Sequence, residues 1–281
     1  MRKKLFIILS ILVFMGTTTI ISYLSASRWN LTDFHINHVS ITSEELPEDF
    51  DNASFLFFSD LDYGTYFTSE RLDKFAKILN NLQSDFVLFG GDLFNDTFTP
   101  VTEDVNVLTA FFKNIEAPYG KFAVLGDFDV QNDQRKALVS KILTDADFEI
   151  LDHKCQSLHL NGSTSINLAG FNYTDKDLDF TETFSSVQST TFNMVLMHGA
   201  AQFDNLPLAM CDLALSGHTH HLQVNAPFFI DFGRYPMTGK YRFGLTEKNN
   251  SSLLVTRGVG TTDSDYRFNA DPEVVYLKLV R

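Results

Sequence analysis

The chain has 281 residues, 44% of them apolar and 20% charged, with a formal net charge of −13. That apolar share is enough to fill the core of one large domain and argues against disorder for the bulk of the chain. The acidic balance, with no Lys/Arg cluster to displace counterions, predicts no nucleic-acid partner.

Arg2, Lys3 and Lys4 precede an uncharged run from Leu5 to Leu24. At 1.5 Å per helical residue such a run spans about 30 Å, the thickness of a hydrocarbon core. Residues 1–27 therefore read as a signal-anchor at the cell membrane, single-pass with the following domain facing outward. A cleaved signal peptide is the other reading, since Leu5 to Met15 forms a compact apolar region and Ser25-Ala26-Ser27 is small enough for cleavage. The protein would then be secreted. Spanning length favours the anchor.

Residues 28–47 read as a juxtamembrane stalk leading into an edge strand, with Ile36, Val39 and Ile41 loosely alternating. From 48 to 281 the spacing predicts one domain. Phe55–Phe58 is a strand; Leu72, Phe75, Ala76, Leu79 and Leu82 have helical spacing; Phe86–Phe89 is a second strand. A helix follows over Val105–Ile115, then a strand over Phe122–Leu125. The second half is richer in strands: Ser157–Leu160, Ile166–Gly170, Met194–Met197, Leu213–Leu215, Leu253–Thr256 and Val274–Leu279. Together these predict an α/β fold, a four-layer αββα sandwich of two mixed sheets with outer helices. Phe, used 28 times against one Trp, should dominate the interior. Some of these rings could line an acyl-chain groove, but core packing is the simpler expectation. Cys155 and Cys211 lack metal-ligand spacing and read as isolated thiols rather than a pair.

Five strand-terminal motifs occur in succession: Asp60-Leu61-Asp62, Gly91-Asp92, Gly126-Asp127-Phe128-Asp129, Met197-His198-Gly199 and Gly217-His218-Thr219-His220. One strand-end Asp or His is ordinarily a cap or a solvated side chain. Five in a row, with Gly beside most of them, point instead to carboxylate and imidazole ligands converging on divalent metal.

These residues resemble the signature of calcineurin-like metallophosphoesterases, over about Asn37 to Arg281. Leu215-Ser216-Gly217-His218-Thr219-His220, Gln223, Arg257-Gly258-Val259-Gly260, Arg267-Phe268 and Pro272-Glu273 are similar to a bacterial membrane-associated branch, that of UDP-2,3-diacylglucosamine pyrophosphatases. The resemblance implies two divalent metal ions. One would be held by Asp60, Asp62, Asp92 and His220, the other by Asp92, Asp127, His198 and His218, with Asp92 bridging. It implies a phosphoester hydrolase of phosphodiesterase or pyrophosphatase type, working through a metal-bridged hydroxide. An envelope or lipid-linked phosphoester is the implied substrate class.

The chain departs from the family pattern at three positions. Asp62 stands where the family has His, Asp127 where it has Asn, and Phe128 where it has a catalytic His. The first two keep an oxygen ligand and move metal preference toward Mn or Mg, with Fe or Zn as alternatives. Phe128 can neither bond a phosphoryl oxygen nor deliver a proton. His221 is the candidate replacement, although a loop histidine is the plainer reading. His35, His38, His153 and His159 flank no motif and read as structural or solvent-exposed. The loss at Phe128 leaves a second reading open: a weakened or inactive pseudoenzyme that binds metal and serves as a binding or sensor module.

Overall fold

In the computed structural model, described over residues 2–26, 33–174, 180–185, 191–220, 223, 240–262 and 264–281, the strands form two six-stranded sheets. The first has the order β1 (His35–Thr42), β12 (Glu273–Val280), β2 (Ser54–Phe58), β3 (Phe86–Phe89), β4 (Lys121–Ala123) and β5 (Phe148–Ile150). The second runs β10 (Gly244–Lys248), β11 (Ser251–Val255), β9 (Leu213–Gly217), β8 (Asn193–Gly199), β7 (Ile166–Phe171) and β6 (Lys154–Leu158). Both are mixed. β2 to β5 are parallel while β12 runs antiparallel to β2, and β7, β8, β9 and β11 are parallel with antiparallel strands at either edge.

The strand sequences explain the layering. In β2, Phe55 and Phe57 face the second sheet, where they meet Leu168, Met194, Leu196, Leu213 and Leu215. Leu56 and Phe58, one residue out of phase, face helices α2 (Ser69–Asn81), α3 (Thr102–Lys113) and α4 (Asp133–Asp145). Strands buried on both faces read as unbroken apolar runs, which is why SFLFF and FVLF carry almost no polar residue. Rings do much of the packing. Phe55 and Phe86 stack at 4.8 Å between the sheets, while Phe112 sits edge-on to Phe89 at 5.2 Å and to Phe148 at 5.4 Å under the helices. Each buried Phe contributes about 1.5–3 kcal/mol by removal from water.

The outer face of the second sheet is covered by short pieces. Helix α5 (Thr181–Phe184) and a 3₁₀ segment, Ala200–Asn205, set Phe184 and Phe203 against Phe171, Val195 and Met197. This is the αββα sandwich expected from the sequence, with a thinner fourth layer among the described residues. Among the described residues of the domain, most phenylalanines lie in the core.

β1 pairs with β12 along its whole length, from His35 opposite Glu273 to Thr42 opposite Val280. Ahead of it, α1 (Arg2–Ala26) includes 19 residues, Lys3–Ile21, of mean hydropathy 2.1 and with none of its surface buried. Length and composition suit a membrane anchor or a signal sequence. Cys155 and Cys211 are not joined by a disulfide.

Candidate metal centre

Because β2, β3 and β4 run parallel, the segments leaving them emerge at one edge, and those leaving β8 and β9 meet them from the other sheet. The loops after β2 and β3 stay zipped beyond the strands: Asp60 N–H donates to Gly91 O at 2.8 Å and Asp62 N–H to Asp92 O at 3.2 Å. Asp60, Asp62, Asp92, His218 and His220 all adopt left-handed backbone, with φ of 55°, 46°, 57°, 68° and 48°. That conformation costs an L-residue about 1–2 kcal/mol and is least unfavourable for Asp, Asn and similar polar side chains. Here it turns successive carboxylates and imidazoles toward one point. His198 is aimed differently, by a break in the β8–β9 register between Met197 and Gly199.

Close approach leaves no room for side chains on the flanking glycines. A Cβ on Gly126 would overlap the Asp92 carboxylate, and one on Gly217 would overlap Ser59 and Asp60.

Asp92, Asp127, His198 and His218 bring one ligand atom each within 4.8 Å of one another. His198 Nε2 lies 3.2 Å from Asp92 Oδ2, 3.0 Å from Asp127 Oδ1 and 3.2 Å from His218 Nδ1, and Asp127 Oδ1 is also 3.0 Å from His218 Nδ1. His198 Nδ1, at 2.7 Å from Gly90 O, donates to that carbonyl, which turns Nε2 toward the cluster; burial disfavours the charged ring, but the facing Asp92 and Asp127 carboxylates outweigh it and raise the imidazole well above its usual range. Beside this group, His220 Nε2 is 3.4 Å from Asp62 Oδ2 and 3.8 Å from Asp60 Oδ1, and Asp60 Oδ1 is 3.9 Å from His198 Nε2. Asp60 also accepts His218 N–H on both oxygens, at 3.0 and 3.1 Å. Four of the seven residues named from the sequence thus form one cluster, and Asp60, Asp62 and His220 lie beside it.

The electrostatics are those of a site short of positive charge. Burial, then the neighbouring Asp92 and Asp60, push the Asp62 carboxyl well above the usual range. Burial does the same to Asp92, against the pull of His198. Burial also disfavours ionisation of Asp127, but hydrogen bonds from His198 and His218 outweigh it and hold that carboxyl low. Burial pushes the His220 imidazole down to about 4. Most telling is Asp62: it is fully buried and neither of its oxygens accepts a hydrogen bond. An orphaned buried carboxylate is costly unless a cation completes it, and the Asp/His donor set fits a hard or borderline divalent ion.

Two contributors were not singled out by the sequence. Asp129, fully buried, accepts N–H bonds from Asp92 at 2.8 Å, Leu93 at 2.9 Å and Gly126 at 2.9 Å, bracing the ends of β3 and β4 together. Tyr173 places its ring 6.1 Å from that of His198 and 5.9 Å from that of His218. Phe128 is half-buried, and its N–H donates to Asp92 Oδ1 at 3.0 Å, so its backbone serves the site although its side chain supplies no acid. His221 lies outside the described residues. His153 and His159 meet Asp152 and Thr164 O away from the cluster, and His38 packs against Tyr276. A cleft of about 330 Å³ opens on the segment after Asp62, lined in part by Thr65, Tyr66, Arg71, Lys74 and Asp265.

A family model for calcineurin-like phosphoesterases matches residues 31–222. The chain is 27% identical over 248 residues to the uncharacterized metallophosphoesterase YkuE of Bacillus subtilis, covering 85% of this chain and 83% of that protein. It is 27% identical over 230 residues to an uncharacterized metallophosphoesterase of Helicobacter pylori, covering 79% of this chain but 58% of that longer protein. Identity to an uncharacterized metallophosphoesterase of Aquifex aeolicus is 23% over 252 residues, covering 87% and 91% of the two chains. Among solved structures, the calcineurin-like phosphoesterase YfkN from Bacillus subtilis superposes with a TM-score of 0.43 at 13% identity, covering 81% of this chain and 91% of that one.

Proposed function

The chain belongs to the calcineurin-like phosphoesterase family, and from that premise we propose that it is a membrane-tethered, two-metal phosphodiesterase or pyrophosphatase acting on an envelope or lipid-linked phosphoester. The observation that carries this reading is the approach of three Asp-bearing loops and two His-bearing loops to one buried point, where the Asp62 oxygens accept no hydrogen bond.

Asp60, Asp62, Asp92 and His220 would hold one ion, and Asp92, Asp127, His198 and His218 the other. When bound, such a pair supplies an activated water and a clamp for phosphoryl oxygens. The chain's own residues set the conditions. Asp129 fixes the spacing of the Asp92 and Asp127 loops, and the Gly90 carbonyl fixes the orientation of His198. The four carboxylates would formally balance the charge of two dications, which weakens attraction for a dianionic monoester more than for a monoanionic diester. With Phe128 at the position of the usual acid, turnover would rely on a leaving group that departs without a proton. The apolar α1 supports a substrate at the membrane face.

The test is metal analysis of the purified full-length protein together with hydrolysis of aryl phosphodiesters in Mn²⁺. Two equivalents of metal with turnover that Asp92→Asn abolishes is the expected result. Two equivalents without turnover on any diester or diphosphate would favour the second reading, a metal-binding module, which Phe128 supports. Failure to bind divalent metal would sink both.

A further inference from the structure

The two halves of the candidate centre are prepared differently, and the difference traces to Arg267. Its side chain is among the largest fully buried ones in the protein. Nε donates to Gly260 O at 2.9 Å, Nη1 donates to Arg257 O at 2.8 Å and to Ala270 O at 2.9 Å, and Nη2 also donates to Gly260 O. The guanidinium thereby ties together the 257–270 segment, which itself bonds back to the ligand loop through Gly260 N–H to Asp60 O at 2.6 Å. Its Nη2 lies 3.3 Å from His220 Nδ1.

A guanidinium nitrogen can only donate. His220 Nδ1 must therefore present its lone pair to Arg267, and a neutral imidazole then carries its hydrogen on Nε2. That is the nitrogen facing Asp62 and Asp60. His198 is held differently: Gly90 O accepts from its Nδ1, and its Nε2 faces the carboxylates of Asp92 and Asp127. The His198 ring is backed by a carbonyl, an acceptor that still fits when Nε2 ligates a cation, while the His220 ring is backed by a donor that carries a fixed positive charge. For His220 to ligate through Nε2, its hydrogen must move to Nδ1, and the Arg267 N–H must give way to let it.

We propose that Arg267 is a positioning residue that lowers the metal affinity of the Asp60–Asp62–His220 half, so that the Asp92–Asp127–His198–His218 half loads first. This rests on the two-metal reading above and deepens it.

Calorimetric titration of the detergent-solubilised full chain with Mn²⁺ tests it. Two steps separated by about tenfold or more in affinity are expected, the scale on which outer partners of ligands act. His220→Ala should remove the weaker step and spare the tighter one. Arg267→Met, which deletes both the charge and the donor, should tighten the weaker step by about tenfold or more; a residue that served packing alone would give weaker binding or an unfolded chain. Equal steps in the parent, or Arg267→Met that binds the second ion no more tightly, would overturn the proposal. The metal-free parent provides a check that needs no variant. Long-range ¹⁵N–¹H spectra should show His220 protonated at Nε2, and His220 protonated at Nδ1 would also overturn it. Binding of no metal at all would count against the functional reading instead.

Discussion

Asp62→Asn separates a metal ligand from an ordinary buried acid, because the two make opposite forecasts for the metal-free protein. The Asp62 carboxyl is fully buried, neither oxygen accepts a hydrogen bond, and burial together with Asp92 and Asp60 drives its pKa up. Without a cation it is a net cost to the fold, on the order of 1–3 kcal/mol for an unsatisfied buried polar group. Asparagine removes the charge but keeps a polar amide, so a gain of about 1–2 kcal/mol is the reasonable expectation, equivalent to roughly 2–8 °C in Tm for a domain of this size. The sign with pH follows from linkage. A carboxyl whose folded pKa is raised leaves the native state holding more protons than the unfolded one, so the parent loses stability as pH rises above its unfolded pKa of about 3.9. The gap between variant and parent should thus open as pH climbs through that point and close below it. With metal the order reverses. An ion at a thousandfold excess over its Kd stabilises by about 4.1 kcal/mol, and a hundredfold loss of affinity leaves about 1.4 kcal/mol. Scanning calorimetry of EDTA-treated and Mn²⁺-loaded protein should show a higher apo Tm and a smaller metal-induced rise for the variant. A lower apo Tm with an undiminished Mn²⁺ shift would refute the assignment of Asp62.

Asp129→Asn should destabilise by about 1–3 kcal/mol, since an amide cannot accept from all of Asp92, Leu93 and Gly126 N–H. Metal affinity should fall about 10–100-fold although no ligand is altered, readable by titration of the folded variant. Phe128→His should raise phosphodiester turnover by up to about 10²–10⁴-fold, most on alkyl leaving groups whose departing oxygen needs a proton; equal gains on aryl and alkyl substrates in steady-state assays would argue against a restored acid. Burial pushes the Cys211 thiol well above its usual range, so it should resist alkylation in the native state while the half-buried Cys155 reacts faster. The raised thiol pKa also means that the parent loses stability relative to Cys211→Ala as pH rises above about 9, by up to about 1.4 kcal/mol per pH unit, which chemical denaturation at stepped pH would detect.

The parts of the fold most legible in the sequence are those where one physical signal acts alone. β2 and β3 are buried on both faces, so their Phe-rich runs had no competing reading, and α2 shows Leu72, Phe75 and Leu79 at helical spacing because a single stripe is buried. Helix α4 went unread because it buries only Val139, Ile142 and Leu143, too few to set a period among the polar residues of DQRKALVSKILTD. Its start was signalled all the same: Asn132 accepts Arg135 N–H at 2.9 Å as an N-cap. β5 is three residues long, and β10 is an edge strand with no buried residue, so neither offers a pattern that a turn could not imitate.

The candidate centre divides along the same line. Its candidate ligands were legible because a glycine, a strand end and an acid or imidazole coincide there for a steric reason: backbones must approach closely, and most of these acids and imidazoles must tolerate left-handed φ. What supports the ligands was not legible. Asp129 sits inside a motif already read for Asp127, and nothing in its neighbours says that it accepts from the β3 end 36 and 37 residues away. Arg267 is further removed, 47 residues from His220, and although Arg267-Phe268 carries part of the family resemblance, an Arg in a polar loop normally reads as solvated. Only its burial against the carbonyls of Gly260, Arg257 and Ala270 reveals that a charge has been fixed beside one half of the site. Ligands are chosen by chemistry, which local sequence carries; their supporting shell is chosen by what lies across the fold, which it does not. The same reasoning explains why Phe128 could be recognised as a missing acid, while its N–H bond to Asp92 could not. A side chain's loss is visible in the sequence, but a backbone N–H contact is kept by every residue type except proline and appears only in three dimensions.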